Sequence, residues 1–205
     1  MIIFYCLDIE TNGILNIHEI CEVSVIRTTD LVQITRQVKV DRPQDSSLDA
    51  LAITGKTLED LRKGISKTDL VEDLEEFFMS DDATPDHRCI VGHNISFDRR
   101  FLWNHWTALG QVFPANLYLD TMAMMRKIAK KRQLVKPKLT LQASCEMMQT
   151  KTAGKWHSAK YDIQNNYFLW KKLMDEVDHL DFIKTIPHAV KEVEQEEDEN
   201  PNSYE

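Results

Sequence analysis

The sequence predicts an α/β domain built on a mixed sheet. Three observations carry that expectation. The chain opens on strand-like runs, MIIFYCL (1–7), ICEVSVIR (20–27) and ITRQVKV (34–40). Beyond residue 68, strand-like and helix-like runs alternate. At 205 residues the chain is long enough to bury a sizeable single core. Strands first, then strands alternating with helices, is the order of a sheet flanked by helices.

MIIFYCL is continuous, β-branched and aromatic, the pattern of a buried central strand. Residues 20–27 and 34–40 alternate apolar with polar side chains, so the three form an antiparallel meander. Residues 41–69 hold Pro43, Gly55 and Gly64 among short helical patches. DLVEDLEEFF, from 69, has helical spacing, and SDDATPDHR (80–88) is a polar loop. CIVGHN (89–94) is a strand, followed by a helix entered through Ser96. NLYLDT (116–121) is a short strand, capped by Asp120 into the helix MAMMRKIAKK. LTLQASCEMM is a further helix. Asp162 begins a long amphipathic one, with Tyr167, Trp170, Met174 and Val177 at three- and four-residue steps. Trp103 and Trp106 are expected in the core.

The net charge of −8 is unevenly spread. Residues 189–205 hold seven acids and one base, a net of −6, which leaves −2 for the other 188. The expected organisation is one domain over 1–188 and a solvated acidic tail over 189–205. No apolar run approaches the roughly 20 residues a membrane span needs. The apolar opening has no basic flank or cleavage site, so it is not a signal peptide. Cys6, Cys21, Cys89 and Cys145 are scattered without a C-x-x-C pair. That pattern fits a cytoplasmic or other reducing compartment.

Residues 8–19, DIETNGILNIHE, nearly match the calcium loop of an EF-hand, D-x-[DN]-x-[DN]-G-x5-E. Both flanks contradict that reading, because they favour strand where an EF-hand needs helix. Glu10 is also longer than the usual ligand at its position. A strand that ends in D-x-E does something else. Its period of two puts Asp8 and Glu10 on one side, where two carboxylates repel unless a divalent cation sits between them. Gly13 then lets the chain turn.

Two later stretches supply partners. HNISFD (93–98) follows an apolar strand and places Asp98 in the first turn of a helix. HSAKYD (157–162) sets His157 in a loop and Asp162 at a helix start. Asp8, Glu10, Asp98 and Asp162 are four hard oxygen ligands without a cysteine, a set for magnesium or manganese rather than zinc. Two such ions, about 3.5–4 Å apart, form a clamp for attack on a phosphodiester. His157, with an ordinary pKa of about 6.5, suits a general base at neutral pH.

The three motifs in this order resemble the DEDDh branch of the DnaQ-like 3′–5′ exonucleases, which includes polymerase proofreading subunits, RNase T and oligoribonuclease. D-x-E-T-x-G is DIETNG, H-N-x-x-F-D is HNISFD, and H-x4-D is HSAKYD. The resemblance spans about residues 1–178. The sister branch has Tyr four residues before the last Asp, where this chain has Ser158. The resemblance implies a ribonuclease H-like fold, a central mixed sheet flanked by helices. It implies a phosphodiester hydrolase that works from the 3′ end of single-stranded or frayed nucleic acid, with DNA favoured, and releases nucleoside 5′-monophosphates. The cofactors it implies are two Mg2+ ions, with Mn2+ able to substitute. By the same resemblance Asp8 bridges both ions, Glu10 and Asp162 complete the site of the ion that activates water, and Asp98 holds the second. His157 is then the base.

The implied substrate contacts are Thr11 and Ile14 at the terminal nucleotide, with Asn94 and Phe97 lining the same pocket. Loop capping for Asn94 and core packing for Phe97 are open alternatives. Trp156, beside His157, is a further candidate for substrate contact. Many members carry His-Gly after the third strand, where this chain has Thr54-Gly55. The segment RKIAKKRQLVKPK (126–138) has seven basic residues and no acid, either a hold for the substrate backbone or a solvated helix end. The partners expected are a nucleic acid with a free 3′ end and, by analogy, a polymerase or repair protein; no membrane is expected. The alternatives are an RNA 3′–5′ exonuclease and a non-catalytic nucleic-acid-binding module.

Overall fold

Strand β1 (Ile3–Thr11) lies at the centre of a six-stranded sheet and sets its two faces. Tyr5, Leu7 and Ile9 point to one side, into a core with Val23, Val25, Leu70, Leu74, Phe78 and Trp106. Cys6 points to the other, into a core with Val91, Met124, Met125, Ile163 and Trp170. Period two therefore sends Asp8 and Glu10 to the second face, beyond the end of its apolar packing.

A computed structural model describes residues 1–186. The expected acidic tail, 189–205, lies outside the described residues. β2 (Ile20–Arg27) and β3 (Gln33–Gln37) pair antiparallel, β2 against β1 and β3 against β2. β4 (Arg88–Gly92) and β5 (Leu117–Asp120) run parallel to β1 on its other side. β6 (Ile183–Thr185) pairs antiparallel with β5 and closes the order β3-β2-β1-β4-β5-β6. The mixed sheet matches expectation. β6 does not come from the sequence, since three residues carry no pattern and only pairing makes them a strand.

Helix α1 (Leu48–Thr54) ends on Gly55, whose φ of +70° is one glycine adopts freely. α2 (Lys67–Met79) starts with a capping box between Ser66 and Asp69. α2 and α3 (Ser96–Ala108) cover the first face. α4 (Thr121–Lys131), α5 (Leu141–Met148) and α6 (Ala159–Met174) cover the second. α6 begins three residues before Asp162, which falls in its first turn, and Val177 lies past its end. Asp120 caps α4 by accepting from the Met122 N–H at 2.9 Å. Trp106 is 1% exposed, and Trp103 packs partly against the same core.

The stretch 80–88 is more than a polar loop. Arg88 is buried and donates to Asp81 through Nε at 3.0 Å and Nη2 at 2.7 Å, and Tyr5 also bonds Asp81. A buried pair of this kind persists because its hydrogen bonds are completed. Among the described residues no helix is long and apolar enough to cross a membrane. All four cysteines are buried and free.

Candidate active site

The site sits where β1 ends. Register between β1 and β2 is regular up to Glu10, opposite Glu22, and shifts between Glu10 and Thr11. Such an irregularity re-aims the last side chains of a strand. α6 lies across β1 and β2, so its first turn brings Asp162 onto the face that Asp8 and Glu10 occupy. One carboxylate oxygen from each of these three residues lies within 4.8 Å of the other two.

Asp98 comes from the first turn of α3 and is not a member of that triad of atoms. It is buried, and its Oδ1 accepts from the Ile9 N–H at 3.1 Å, one residue from Asp8. The link fixes α3 to β1 at the edge of the cluster.

The electrostatics are those of crowded acids. Burial, then Asp98 and Glu10, push the Asp8 carboxyl well above its usual range. Burial, then Asp162 and Glu22, push Glu10 up to about 8, against the opposing charge of Lys56. Burial pushes Asp98 up to about 7 despite the Ile9 bond, and Asp162 up to about 6 despite its bond to the His157 N–H. Each carboxyl thus resists ionisation in the protein alone. A divalent cation reverses that preference, because it supplies the charge the cluster lacks. The buried Oδ1 of Asp162 has no hydrogen-bond partner. An orphan oxygen beside two convergent carboxylates fits a metal ligand, and an all-oxygen set suits a hard cation.

His157 is exposed, in the left-handed conformation at φ +63°. Its backbone N–H donates to Asp162 Oδ2 at 3.1 Å. The loop histidine and the helix carboxylate are therefore tied through the main chain.

The expected substrate residues are spread around this centre. Thr11 is buried, and its hydroxyl donates to the Gly13 carbonyl at 2.7 Å. Ile14 is 70% exposed, and its carbonyl accepts from Arg100 Nη2 at 2.7 Å. Gly13 is needed because a Cβ there would meet the His18 ring at 2.2 Å. Asn94 has φ +67°; its N–H donates to Asp120 and its carbonyl accepts from the Phe97 N–H, so it organises a loop. Phe97 is half-buried, 5.0 Å from the Phe101 ring, so packing engages part of it. Trp156 is half-buried and packs against the second core.

The calcium-loop pattern is resolved by Asn12 and Glu19. Glu19 accepts from the Asp41 and Arg42 N–H groups and pairs with Lys67. Asn12 Oδ1 accepts from the Glu19 N–H at 2.6 Å. Both therefore brace the β1–β2 loop and turn away from Asp8 and Glu10.

Glu22 and Lys56 are the site residues that sequence reasoning missed. Glu22 stands opposite Glu10, and Lys56 Nζ reaches its Oε2 at 2.7 Å. The signal was present, since the antiparallel meander places a polar position of ICEVSVIR beside DIET.

Comparison with known proteins agrees with this geometry. The family model described as exonuclease (RNase T) matches residues 5–169. No curated protein matches by sequence. Among solved structures, cell-death related nuclease 4 superposes with a TM-score of 0.71 at 12% identity, over 85% of this chain and 64% of that one. Exonuclease X, in complex with 5′ overhanging duplex DNA, gives 0.63 at 21% identity, over 87% and 96%. The nuclease domain of 3′hExo, a DEDDh family member bound to rAMP, gives 0.67 at 13% identity, over 85% and 92%. The chain thus spans under two thirds of the first of these and nearly all of the other two.

Proposed function

This chain belongs to the exonuclease (RNase T) family, and from that premise we propose that it cuts nucleotides one at a time from the 3′ end of single-stranded or frayed nucleic acid. The products are nucleoside 5′-monophosphates, and DNA is the favoured substrate. The observation that carries the reading is the convergence of Asp8, Glu10 and Asp162, with one orphaned buried oxygen, at the end of a central strand.

Two divalent cations, Mg2+ with Mn2+ able to substitute, would be held by Asp8, Glu10 and Asp162, with Asp98 completing the set. When bound they neutralise the cluster and supply the positive charge that stabilises a phosphodiester transition state. The chain's own residues do the rest. An imidazole nitrogen of His157 takes the proton from the attacking water, and its exposure lets that proton pass to solvent. Ile14 offers an exposed apolar surface to the terminal base, and Thr11 shapes the turn beneath it. Asn94, Phe97 and Trp156 are further candidates for contact with the terminal nucleotide. The exposed basic residues of 126–138, among them Lys130, Lys131, Lys136 and Lys138, attract the backbone upstream of the end.

The catalytic unit is residues 1–188, and the absence of paired cysteines suits a reducing compartment. A second reading, an RNA 3′–5′ exonuclease, is favoured by the rAMP bound to 3′hExo. A binding module without catalysis is disfavoured because the carboxylates and His157 are all in place. Degradation of matched 3′- and 5′-labelled DNA and RNA, single- and double-stranded, with magnesium and with EDTA, separates the three. DNA loss from the 3′ end with Mg2+ alone supports the first reading. Preferential RNA loss supports the second, and tight binding without mononucleotide release supports the third.

A further inference from the structure

Both oxygens of Glu22 are engaged, and neither is engaged with the carboxylate triad. Oε2 accepts from Lys56 Nζ at 2.7 Å. Oε1 accepts from the Ser158 hydroxyl at 3.2 Å and the Lys160 N–H at 3.4 Å. The two charged side chains are only 13% and 16% exposed. Ser158 precedes α6, yet its own hydroxyl caps no N–H of that helix. A helix start leaves its first N–H groups without acceptors and favours a nearby negative charge. Glu22 meets both needs from a neighbouring strand.

The turn so held is the one that carries the chemistry. His157 precedes Ser158 and sits at φ +63°, a conformation a non-glycine residue keeps only where its surroundings impose it. Its N–H is tied to Asp162 on one side, and Ser158 is tied to Glu22 on the other. The loop before it also leans on the Lys56 segment, since Lys155 Nζ lies 3.3 Å from where a Gly55 Cβ would stand. Lys56 neutralises Glu22 beside Glu10 and keeps its carboxylate in place.

We propose that Glu22, braced by Lys56, is a positioning residue for His157: it anchors Ser158 and the first turn of α6 and so presents the imidazole to the attacking water. This rests on the exonuclease reading.

The test is a double-mutant cycle with His157→Ala, joined to hydrogen exchange. Glu22→Ala lowers kcat about 10–100-fold, with KM and Mn2+ affinity, titrated with the metal alone, within about threefold of wild type. In the His157→Ala background the same change costs less than about twofold, because the residue it positions is gone. Amides 157–162 exchange at least about tenfold faster in Glu22→Ala, a readout independent of activity. Glu22→Gln combined with Lys56→Met keeps an acceptor for Ser158 and removes both charges, and it restores kcat to within about fivefold. Equal losses in both backgrounds, unchanged exchange at 157–162, or Mn2+ affinity falling in step with kcat would each overturn the proposal. A wild type that degrades no nucleic acid refutes the exonuclease reading alone, and exchange at 157–162 still decides whether Glu22 anchors this turn.

Discussion

Asp162→Asn separates the stability of the site from its function. Asparagine has the shape of the aspartate and can still accept from the His157 N–H, but it carries no charge. Folding raises the Asp162 carboxyl from 3.8 to about 6, chiefly through burial. A raised acid pKa means the folded state binds the proton more tightly than the unfolded state does. The stability associated with that proton is complete below about pH 4 and is lost as pH rises through about 6. At about 1.36 kcal/mol per pKa unit the full effect is about 3 kcal/mol, reduced to about 1–3 kcal/mol by the solvent that reaches the cleft. In EDTA at pH 8 the variant should therefore be more stable than wild type, moving the urea midpoint up by about 0.5–1.5 M for a typical slope of about 2 kcal/mol/M. Near pH 4 the two should unfold together. Addition of Mg2+ at pH 8 should stabilise wild type and leave the variant nearly unmoved, and the variant should be inactive. Equal or lower stability of the variant in EDTA at pH 8 would refute the claim that these carboxylates are crowded without a cation.

Other outcomes follow from the same geometry. His157→Ala should lower turnover by about 10²–10⁴-fold while Mn2+ affinity, measured by calorimetry, stays near wild type. A loss of metal affinity in that variant would make His157 a ligand and not the base. Trp106→Ala, at a 1% exposed site on the core-facing side of α3, should cost about 3–5 kcal/mol in urea unfolding. A cost under about 1 kcal/mol would mean the first core is not packed as described. Deleting the chain after His188 removes −6 of the net charge of −8 and should tighten oligonucleotide binding at low salt, read by fluorescence anisotropy, with the difference closing as salt rises. Unchanged binding would retire any electrostatic role for that segment.

The sequence made some features of this molecule plain and hid others, for physical reasons. β1 was legible because a continuous apolar run has few alternatives, and its period then placed Asp8 and Glu10 together. The helix start at Ser96 was legible through the motif that opens it, whereas α6 starts at Ala159, three residues ahead of the Asp162 where the apolar spacing placed its beginning. Asn12 and Glu19 were separable from the site because their flanks forbid a calcium loop, and the structure shows them bonded to each other. Glu22 was hidden because a polar residue in an alternating strand reads as solvent-facing. Only the register with β1 and the position of α6 turn it inward. Lys56 and Arg88 were hidden for a similar reason, since a charged residue in a loop-like stretch gives no sign of a buried partner. β6 exists only through its pairing with β5.

The central claim is that Asp8, Glu10 and Asp162 form a metal-dependent hydrolytic centre. Time-resolved degradation of a 5′-labelled single-stranded DNA, with wild type and with Asp8→Ala, in Mg2+ and in EDTA, tests it most directly. The account predicts a ladder of fragments shortening from the 3′ end for wild type in Mg2+ only. It predicts intact DNA for Asp8→Ala, with circular dichroism of that variant unchanged. Degradation by wild type in EDTA, or near-wild-type degradation by a folded Asp8→Ala variant, would contradict it.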